Sequence, residues 1–205
     1  MLLAAFFIMG FGMCAGRREA LFMPEELNST QLFKRSLNMV RNQSDLHLLM
    51  FSPNISDIPR CLMSKFLMKM KTYTQRTLET SKIVESKEMF SDGELTTLQY
   101  NIKIVVNMGN PPSFNVTYEG DPPPEWKKPQ NVLYAKPKHC LLLGTSTGQK
   151  WSGNCTLWGY TTCKDKCLFD CQKTFVSKCG RGIPVHRTDC TETKVKTDRQ
   201  GYKPK

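Results

Sequence analysis

The crowding of cysteines most strongly limits what this chain can fold into. Of nine cysteines in 205 residues, seven lie between Cys140 and Cys190. Cytosolic proteins keep their thiols reduced, so this density in the cytosol would indicate metal ligation, whereas in an oxidising compartment it indicates disulfides. The chain is therefore a secreted crosslinked domain or a metal-cluster protein, and an ordinary reduced cytosolic enzyme is excluded.

The N-terminal residues favour secretion. Residues 1–16 carry no charged side chain, and their apolar run is shorter than the roughly 20 residues that span a bilayer. Cys14 and Gly16 are small residues with the spacing of a signal-peptidase site, and Arg17 follows. We predict a signal peptide over 1–16 and a secreted, extracellular mature chain without membrane insertion. Cleavage removes Cys14 and leaves an even set of cysteines for disulfides.

Glycosylation sequons agree with secretion. An Asn-X-Ser/Thr tripeptide marks a glycan acceptor in a secreted protein. Such tripeptides predict a glycoprotein here, and the acceptor asparagines are Asn28, Asn42, Asn54, Asn115 and Asn154. The last sequon has Cys155 in its middle, where bridge formation competes with glycan transfer.

Residues 17–45 are predicted to form an N-terminal helical and irregular segment. Asn28, Ser29 and Thr30 offer N-cap side chains. Helical spacing places four side chains on one apolar face: Leu32, Phe33, Leu37 and Val40.

From Leu46 onward the pattern favours short β-strands. The clearest strand is 98–106, where apolar and polar residues alternate, and 114–118 alternates in the same way. Further along, we predict strands over 132–143 and 155–162, a helix over 164–178 that ends at Gly180, and a basic flexible tail over 191–205. The absence of a βαβ rhythm favours one antiparallel barrel or sandwich.

The last third carries a specific resemblance. Its motifs are Val132-Leu133-Tyr134-Ala135, Cys140-Leu141-Leu142, Cys155-Thr156-Leu157-Trp158, Cys171-X3-Phe175-X3-Cys179-Gly180 and Cys190, with Arg60-Cys61 upstream. The chain resembles the tick salivary lipocalins, the family that includes the histamine-binding proteins. The resemblance implies a mainly β fold over 46–190: an eight-stranded antiparallel lipocalin (calycin) barrel with a C-terminal α-helix outside it. It also implies secretion in saliva and sequestration of host inflammatory mediators, which evades host defence.

The resemblance also implies the disulfide pattern. By position in the family, Cys61 pairs with Cys190, Cys140 with Cys171, and Cys155 with Cys179. Two further cysteines, Cys163 and Cys167, have no counterpart in the family pattern and pair with each other by exclusion.

A metal or iron–sulfur site is the alternative for part of the same cysteine set. Its ligands would be Cys163, Cys167 and Cys171, with His186 nearby in sequence. The leader and the sequons favour disulfides, so we expect no metal and no cofactor.

Two positions at which this chain differs from the amine-binding family members bear on the identity of the ligand. Amine-binding family members carry acids where this chain has Leu141 and Thr156, and residues 131–162 contain no Asp or Glu. A cationic amine needs an anionic or aromatic partner. Amine binding of the histamine or serotonin type therefore depends on acids elsewhere, namely Glu79, Glu85 or Glu94. A basic barrel accepts an anionic lipid, such as a leukotriene or fatty acid, more readily.

Strand alternation supplies the cavity candidates. The side chains predicted to face a ligand are Tyr100, Ile102, Phe114, Val116, Tyr118 and Trp158. For each of them, plain filling of the core is the alternative role.

Other functions receive less support. His47, His139 and His186 stand in no catalytic spacing, and no phosphate loop or metalloprotease motif is present, so we predict no enzymatic activity. The net charge of +11 is scattered along the chain and gives no nucleic-acid site. We expect a monomer. Two alternatives remain open: a lipocalin whose surface loops bind a host protein, and a disulfide-rich protease-inhibitor module starting at Asn131.

Overall fold

The computed structural model describes residues 25–55, 58, 60–84, 94–120, 129–145, 154–160, 162 and 165–185. The predicted signal peptide over 1–16 and the predicted tail over 191–205 lie outside the described residues. So do Glu85, Cys163, His186 and Cys190.

The described residues form two helices and ten strands. The helices are α1 (Ser29–Val40) and α2 (Asp165–Cys179). The strands are β1 (Leu46–Phe51), β2 (Arg60–Ser64), β3 (Phe66–Lys69), β4 (Thr74–Val84), β5 (Glu94–Asn107), β6 (Ser113–Glu119), β7 (Gln130–Lys136), β8 (Cys140–Gly144), β9 (Cys155–Tyr160) and β10 (Ile183–Pro184).

The strands close into a barrel. Around it the neighbours are β1, β2, β4, β5, β6, β7, β8 and β9, every pair antiparallel, and β9 returns to β1 with Leu46 opposite Tyr160. β3 lies beside β4, and β10 adds two residues to β1. Closure leaves no free sheet edge in the ring itself, which protects such a sheet from pairing with other chains. The predicted eight-stranded antiparallel barrel with a C-terminal helix is confirmed.

Alternation along the strands creates two apolar cores. On β8, Leu141 and Leu143 belong to the core inside the barrel, whereas Cys140 and Leu142 belong to a second core on its outer surface. Successive side chains of a strand point to opposite faces, so one strand serves both cores. α2 covers the outer core and buries Phe175 completely. Among the described residues, no helix combines the length and apolar character needed to cross a membrane.

α1 packs across one end of the barrel. Asn28 caps it, because its side chain accepts a hydrogen bond from the backbone N–H of Gln31 while the Gln31 side chain accepts one from the backbone N–H of Asn28. The predicted apolar face is only partly the face that α1 buries. Leu32 and Val40 are buried as expected, but Phe33 and Leu37 are only half-buried. Ser36 and Met39 take their places, since the helix turns about 100° per residue and its contacts with β5, β7 and β8 select a different stripe.

One strand prediction was wrong. Residues 132–143 are not one strand but the two strands β7 and β8, which pair with each other through a tight turn. Lys138 adopts a left-handed conformation with φ of 63°, and the N–H of His139 donates to the carbonyl oxygen of Lys136. The turn contains neither the glycine nor the asparagine that marks most hairpins. With apolar residues on both sides of it, the segment therefore resembled a single long strand in the sequence.

The hairpin has a consequence for domain organisation. β7 pairs with β6, and β9 pairs with β1, so the chain from Asn131 to Tyr160 completes the barrel begun by the early strands. It is not a separate protease-inhibitor module.

Candidate ligand-binding cavity

The barrel encloses a cavity that opens at one end. α1 lies across the other end, where the phenol of Tyr160 donates to the carbonyl oxygen of Met39 at 2.9 Å. The mouth is formed by residues at the strand ends farthest from α1, among them Ile55 after β1 and Thr145 after β8. The empty space is about 1050 Å³, including the open mouth.

The walls are mainly apolar. The apolar lining residues are Val40, Leu46, Ile55, Ile58, Leu62, Leu78, Ile102, Ile104, Phe114, Val116, Tyr118, Leu141, Leu143 and Trp158. The polar lining residues are all uncharged: Ser64, Gln130, Thr145, Asn154 and Thr156. Within the described part of the chain, therefore, no carboxylate, ammonium or guanidinium group lines the cavity.

Five of the six predicted cavity residues lie in this lining. They are Ile102, Phe114, Val116, Tyr118 and Trp158. Tyr100 is not in the lining; it is half-buried and packs against the core inside the barrel. Contact of these side chains with a ligand stays a prediction.

Sequence reasoning missed most of the aliphatic lining. Leu141 and Leu143 had a usable signal, because they alternate with Cys140, whose expected bridge to the outer helix points that side chain outward. For Leu78 the sequence contains no such signal, because its strand β4 is rich in polar residues and was not predicted.

Two lining side chains are joined by a hydrogen bond. The indole Nε1–H of Trp158 donates to Oγ1 of Thr156 at 3.1 Å. The hydroxyl of Thr156 thus acts as an acceptor towards Trp158, and its own hydrogen remains for an acceptor in the cavity. Burial raises the pKa of Tyr118 to about 12, so this lining phenol is uncharged at neutral pH.

A buried arginine lies at the closed end without offering its charge to the cavity. Nε of Arg76 donates to Oγ of Ser64, Nη1 donates to the carbonyl oxygens of Val40 and Asn42, and Nη2 donates to those of Ser44 and Ser64. These five bonds use every guanidinium donor. Desolvation lowers the pKa of Arg76 to about 10, which still leaves it charged at neutral pH. Its charge stabilises the barrel floor and is not available to a ligand.

Of the three acids that could pair with an amine ligand, Glu79 has a described side chain, and that side chain faces away from the cavity. Glu79 follows the lining residue Leu78, so its side chain points to the opposite face of β4. There its carboxylate pairs with Nζ of Lys65 at 2.7 Å and accepts from Oγ1 of Thr77 at 2.9 Å. Glu85 and the side chain of Glu94 lie outside the described residues.

Two disulfides fasten α2 to the outside of the barrel. Cys140 on β8 bonds Cys171 and Cys155 on β9 bonds Cys179, as the family resemblance implied. Cys171 is therefore no metal ligand, and among the described residues no group of His, Cys, Asp and Glu side chains is arranged to hold a metal ion.

For each of the other two predicted disulfides, the structure describes only one of the two cysteines. Cys61 and Cys167 are each disulfide-bonded. Their expected partners, Cys190 and Cys163, lie outside the described residues.

Comparison with solved structures identifies the architecture. Japanin from Rhipicephalus appendiculatus, solved bound to cholesterol, matches with a TM-score of 0.55 and 17% identity, covering 71% of this chain and 93% of Japanin. Lobster apocrustacyanin A1 matches with a TM-score of 0.50 and 15% identity, covering 78% of this chain and 86% of its own. Both neighbours are lipocalins with an eight-stranded barrel. This chain has the lipocalin fold.

Sequence comparison adds nothing to the fold. No protein-family profile matches the chain, and no curated protein sequence matches it. At 15–17% identity the lipocalin fold is what the neighbours share with this chain. Membership of the tick salivary histamine-binding group stays a prediction.

Proposed function

We propose that this protein is a secreted lipocalin that sequesters an uncharged, apolar small-molecule mediator of a host in its barrel. The observation that carries the proposal is the lining of the cavity: apolar walls with five uncharged polar side chains. The chain's expected ligands were a biogenic amine or an anionic lipid. The lining favours a third chemistry, a neutral molecule with an extended apolar body.

The physical reason is the cost of burying charge. Moving an unpaired ammonium or carboxylate into an apolar site costs far more than a hydrogen bond to a hydroxyl returns. The aromatic rings of Phe114, Tyr118 and Trp158 would return only about 0.5–2 kcal/mol to an ammonium. A neutral ligand avoids that cost. It gains about 25 cal/mol for each Å² of apolar surface removed from water. The hydroxyl of Thr156 can donate to one ligand oxygen, and it marks the polar end of the site.

Three further observations support the proposal. Japanin, with the same fold, was solved bound to cholesterol, a neutral apolar molecule. The disulfides of α2 fit an oxidising compartment, which agrees with the predicted signal peptide. The described lining offers apolar side chains and uncharged hydrogen-bonding groups, which suit binding of a ligand and its withdrawal from solution.

A competition experiment tests the proposal. The secreted protein is offered cholesterol, arachidonate, leukotriene B4, serotonin and histamine together, and native mass spectrometry identifies what stays bound. We expect the neutral molecule to be retained with a Kd of about 1 µM or tighter. Ile102→Asp, which places a carboxylate in the lining, is expected to abolish this binding, while Lys103→Asp on the opposite face of the same strand leaves it intact.

Three results would contradict the proposal. Preferential retention of arachidonate or leukotriene B4 would favour an anionic lipid as the ligand. Preferential retention of histamine or serotonin by the wild-type chain would restore the amine-binding interpretation. Retention of none of the five molecules would favour the alternative in which surface loops bind a host protein.

A further inference from the structure

One of the five sequons lies at the cavity mouth. Asn154 and Thr156, the first and third residues of Asn154-Cys155-Thr156, both line the cavity. Asn154 is exposed and comes immediately before β9. Its position is fixed by two hydrogen bonds with Thr145: its N–H donates to Oγ1 of Thr145 at 3.2 Å, and its carbonyl oxygen accepts from the N–H of Thr145 at 3.1 Å. The asparagine thus sits on the rim at a defined place.

The other four sequon asparagines are not among the residues that line the cavity. Asn28 caps α1, Asn42 follows α1 at the closed end, and Asn115 is exposed between the lining residues Phe114 and Val116 and so faces outward. Asn54 is exposed in the link between β1 and β2, one residue before the mouth residue Ile55, but it is not itself a lining residue. Among the residues that line the cavity, Asn154 alone is a glycan acceptor.

We propose that N-glycosylation of Asn154 restricts access to the ligand cavity. This inference rests on the proposed function, because both secretion and a ligand in the barrel are needed for it. In the transfer, Nδ2 of Asn154 forms a bond to the anomeric carbon of an oligosaccharide carried on a lipid pyrophosphate. The bond between that carbon and the pyrophosphate oxygen breaks, the lipid pyrophosphate leaves, and the amide loses one proton.

The order of synthesis gives the sequon time to react. Cys155 is held by Cys179, which comes 24 residues later. At about 5–20 residues per second, the clamping cysteine is made roughly 1–5 s after the sequon. During that interval the native bridge that fixes the start of β9 cannot form. The extended sequon is available to the transferase before the barrel closes.

The expected effect is on rates and not on affinity. A glycan on the rim obstructs entry and exit of a ligand without touching the walls that hold the ligand inside. Association and dissociation therefore slow by the same factor, and their ratio, which sets Kd, stays constant. Glycosylated and unglycosylated chains would differ in how fast they exchange ligand.

The test compares two forms of one sequence. The variant Thr30→Ala/Ser44→Ala/Ser56→Ala/Thr117→Ala keeps Asn154 as its single acceptor. It is secreted from a glycosylating host, and a lectin column separates chains with and without the glycan. Peptide mass spectrometry locates the glycan. A matched variant keeps the Asn115 sequon instead, with Thr30→Ala/Ser44→Ala/Ser56→Ala/Asn154→Gln.

Two readouts follow access to the cavity. The first is stopped-flow exchange of a fluorescent sterol. The second needs no ligand: acrylamide quenching of Trp158 in a Trp126→Phe/Trp151→Phe background. We expect the Asn154 glycan to lower both ligand rates and the quenching rate about three- to tenfold, within the range over which association rates of one site vary. The Asn115 glycan should leave all three unchanged.

Three other outcomes overturn the inference. An Asn154 that carries no glycan, or a glycan there with quenching equal to that of the unglycosylated form, rejects it. A Kd that changes as much as the rates shows that the glycan disturbs the walls and not the entrance. If neither form binds the sterol, the proposed function fails, while the quenching comparison still decides the question of access.

Discussion

Arg76 joins the elements that close one end of the barrel. Its side chain is fully buried and lies on β4, with the Phe66 ring centroid 5.9 Å from its guanidinium carbon. Its five hydrogen bonds join the end of α1 and residues 42–44 to Ser64 on β2. No carboxylate pairs with it in these bonds. Backbone carbonyl groups that would otherwise be buried without donors therefore depend on this one cation.

We expect Arg76→Met to lower the free energy of unfolding by about 3–5 kcal/mol, because two buried and two partly buried carbonyl oxygens lose their donors. Arg76→Lys should recover only part of the loss, since an ammonium has three donors in place of five. Urea unfolding without reductant measures both. Lys103→Met is the control: its contact with Glu119 is a 3.7 Å pair of exposed side chains, worth at most about 1 kcal/mol. Equal losses in Arg76→Met and Lys103→Met would contradict this role.

Two buried tyrosines predict a loss of stability in alkali. Burial raises the pKa of Tyr118 and of Tyr160 to about 12, from about 10 in the unfolded chain. Because the raised pKa belongs to the folded state, the contribution is complete below pH 10 and is lost as the pH rises through 12. Each tyrosine adds up to about 1.4 kcal/mol per pH unit to the downward slope. Arg76, whose pKa is lowered to about 10, contributes a slope of opposite sign in the same range, so the quantity to compare is the slope of wild type against that of a tyrosine variant.

Urea unfolding at constant ionic strength between pH 9 and pH 11.5 checks this, and Tyr160→Phe should reduce the slope. A slope that is the same in wild type and variant would show that Tyr160 is not shielded as described.

At the level of elements, α2 is held to the barrel by covalent bonds and by packing. Cys171 and Cys179 lie eight residues apart, about two helical turns, so both reach the same side of the helix and bond to the adjacent strands β8 and β9. Between them, Phe175 is buried against the outer core. The helix therefore covers Leu142 and Leu157, which would otherwise be exposed on the outside of the barrel.

Removing one of these bridges as a pair, Cys140→Ala/Cys171→Ala, should lower the free energy of unfolding by about 3–4 kcal/mol on the chain-entropy relation for a 31-residue separation. The barrel should persist, since its strand pairing is independent of that bond. Thermal unfolding gives the loss, and far-UV circular dichroism reports the retained β-structure. Loss of the β signal at 25 °C would show that the barrel depends on the clamp.

Considered as a whole, the molecule keeps empty space where a core would normally be filled. Protein interiors are close-packed, and an unfilled cavity sacrifices contacts that would stabilise the fold. Here aliphatic and aromatic side chains surround that space while α1 and Arg76 close one end. The cavity is thus a feature of the entire barrel, and no single strand produces it.

Filling the cavity should separate ligand binding from stability. Val116→Trp adds a large side chain to the lining and is expected to weaken sterol binding at least about tenfold, with the free energy of unfolding unchanged or raised. Thr117→Trp, exposed on the opposite face of β6, is the matched control and should bind normally. Fluorescence titration and urea unfolding measure the two quantities. Undiminished binding by Val116→Trp would place the ligand outside the barrel.

Several elements followed from local signals. Alternation predicted β5 and β6, the Asn28 cap marked the start of α1, and Gly180, with φ of 79°, ends α2 where a left-handed residue is needed. β4 was not predicted from the sequence, because its inward-facing residues include Thr74, Arg76 and Thr80 as well as Leu78 and so form no apolar stripe. Its polar side chains are buried by partners distant in sequence, and a local pattern carries no trace of such partners.

The cysteines show where the sequence was sufficient. Their crowding, with the apolar N-terminal residues and the sequons, indicated a secreted, crosslinked domain, and the spacing within α2 placed two cysteines on one face. The sequence did not determine the chemistry of the ligand. The absence of acids from 131–162 excluded the family's amine ligands only in part, because Glu79 remained a candidate. Only the barrel decided that Glu79 faces Lys65 outside and that the lining is uncharged, since the direction of a side chain depends on which strands are its neighbours.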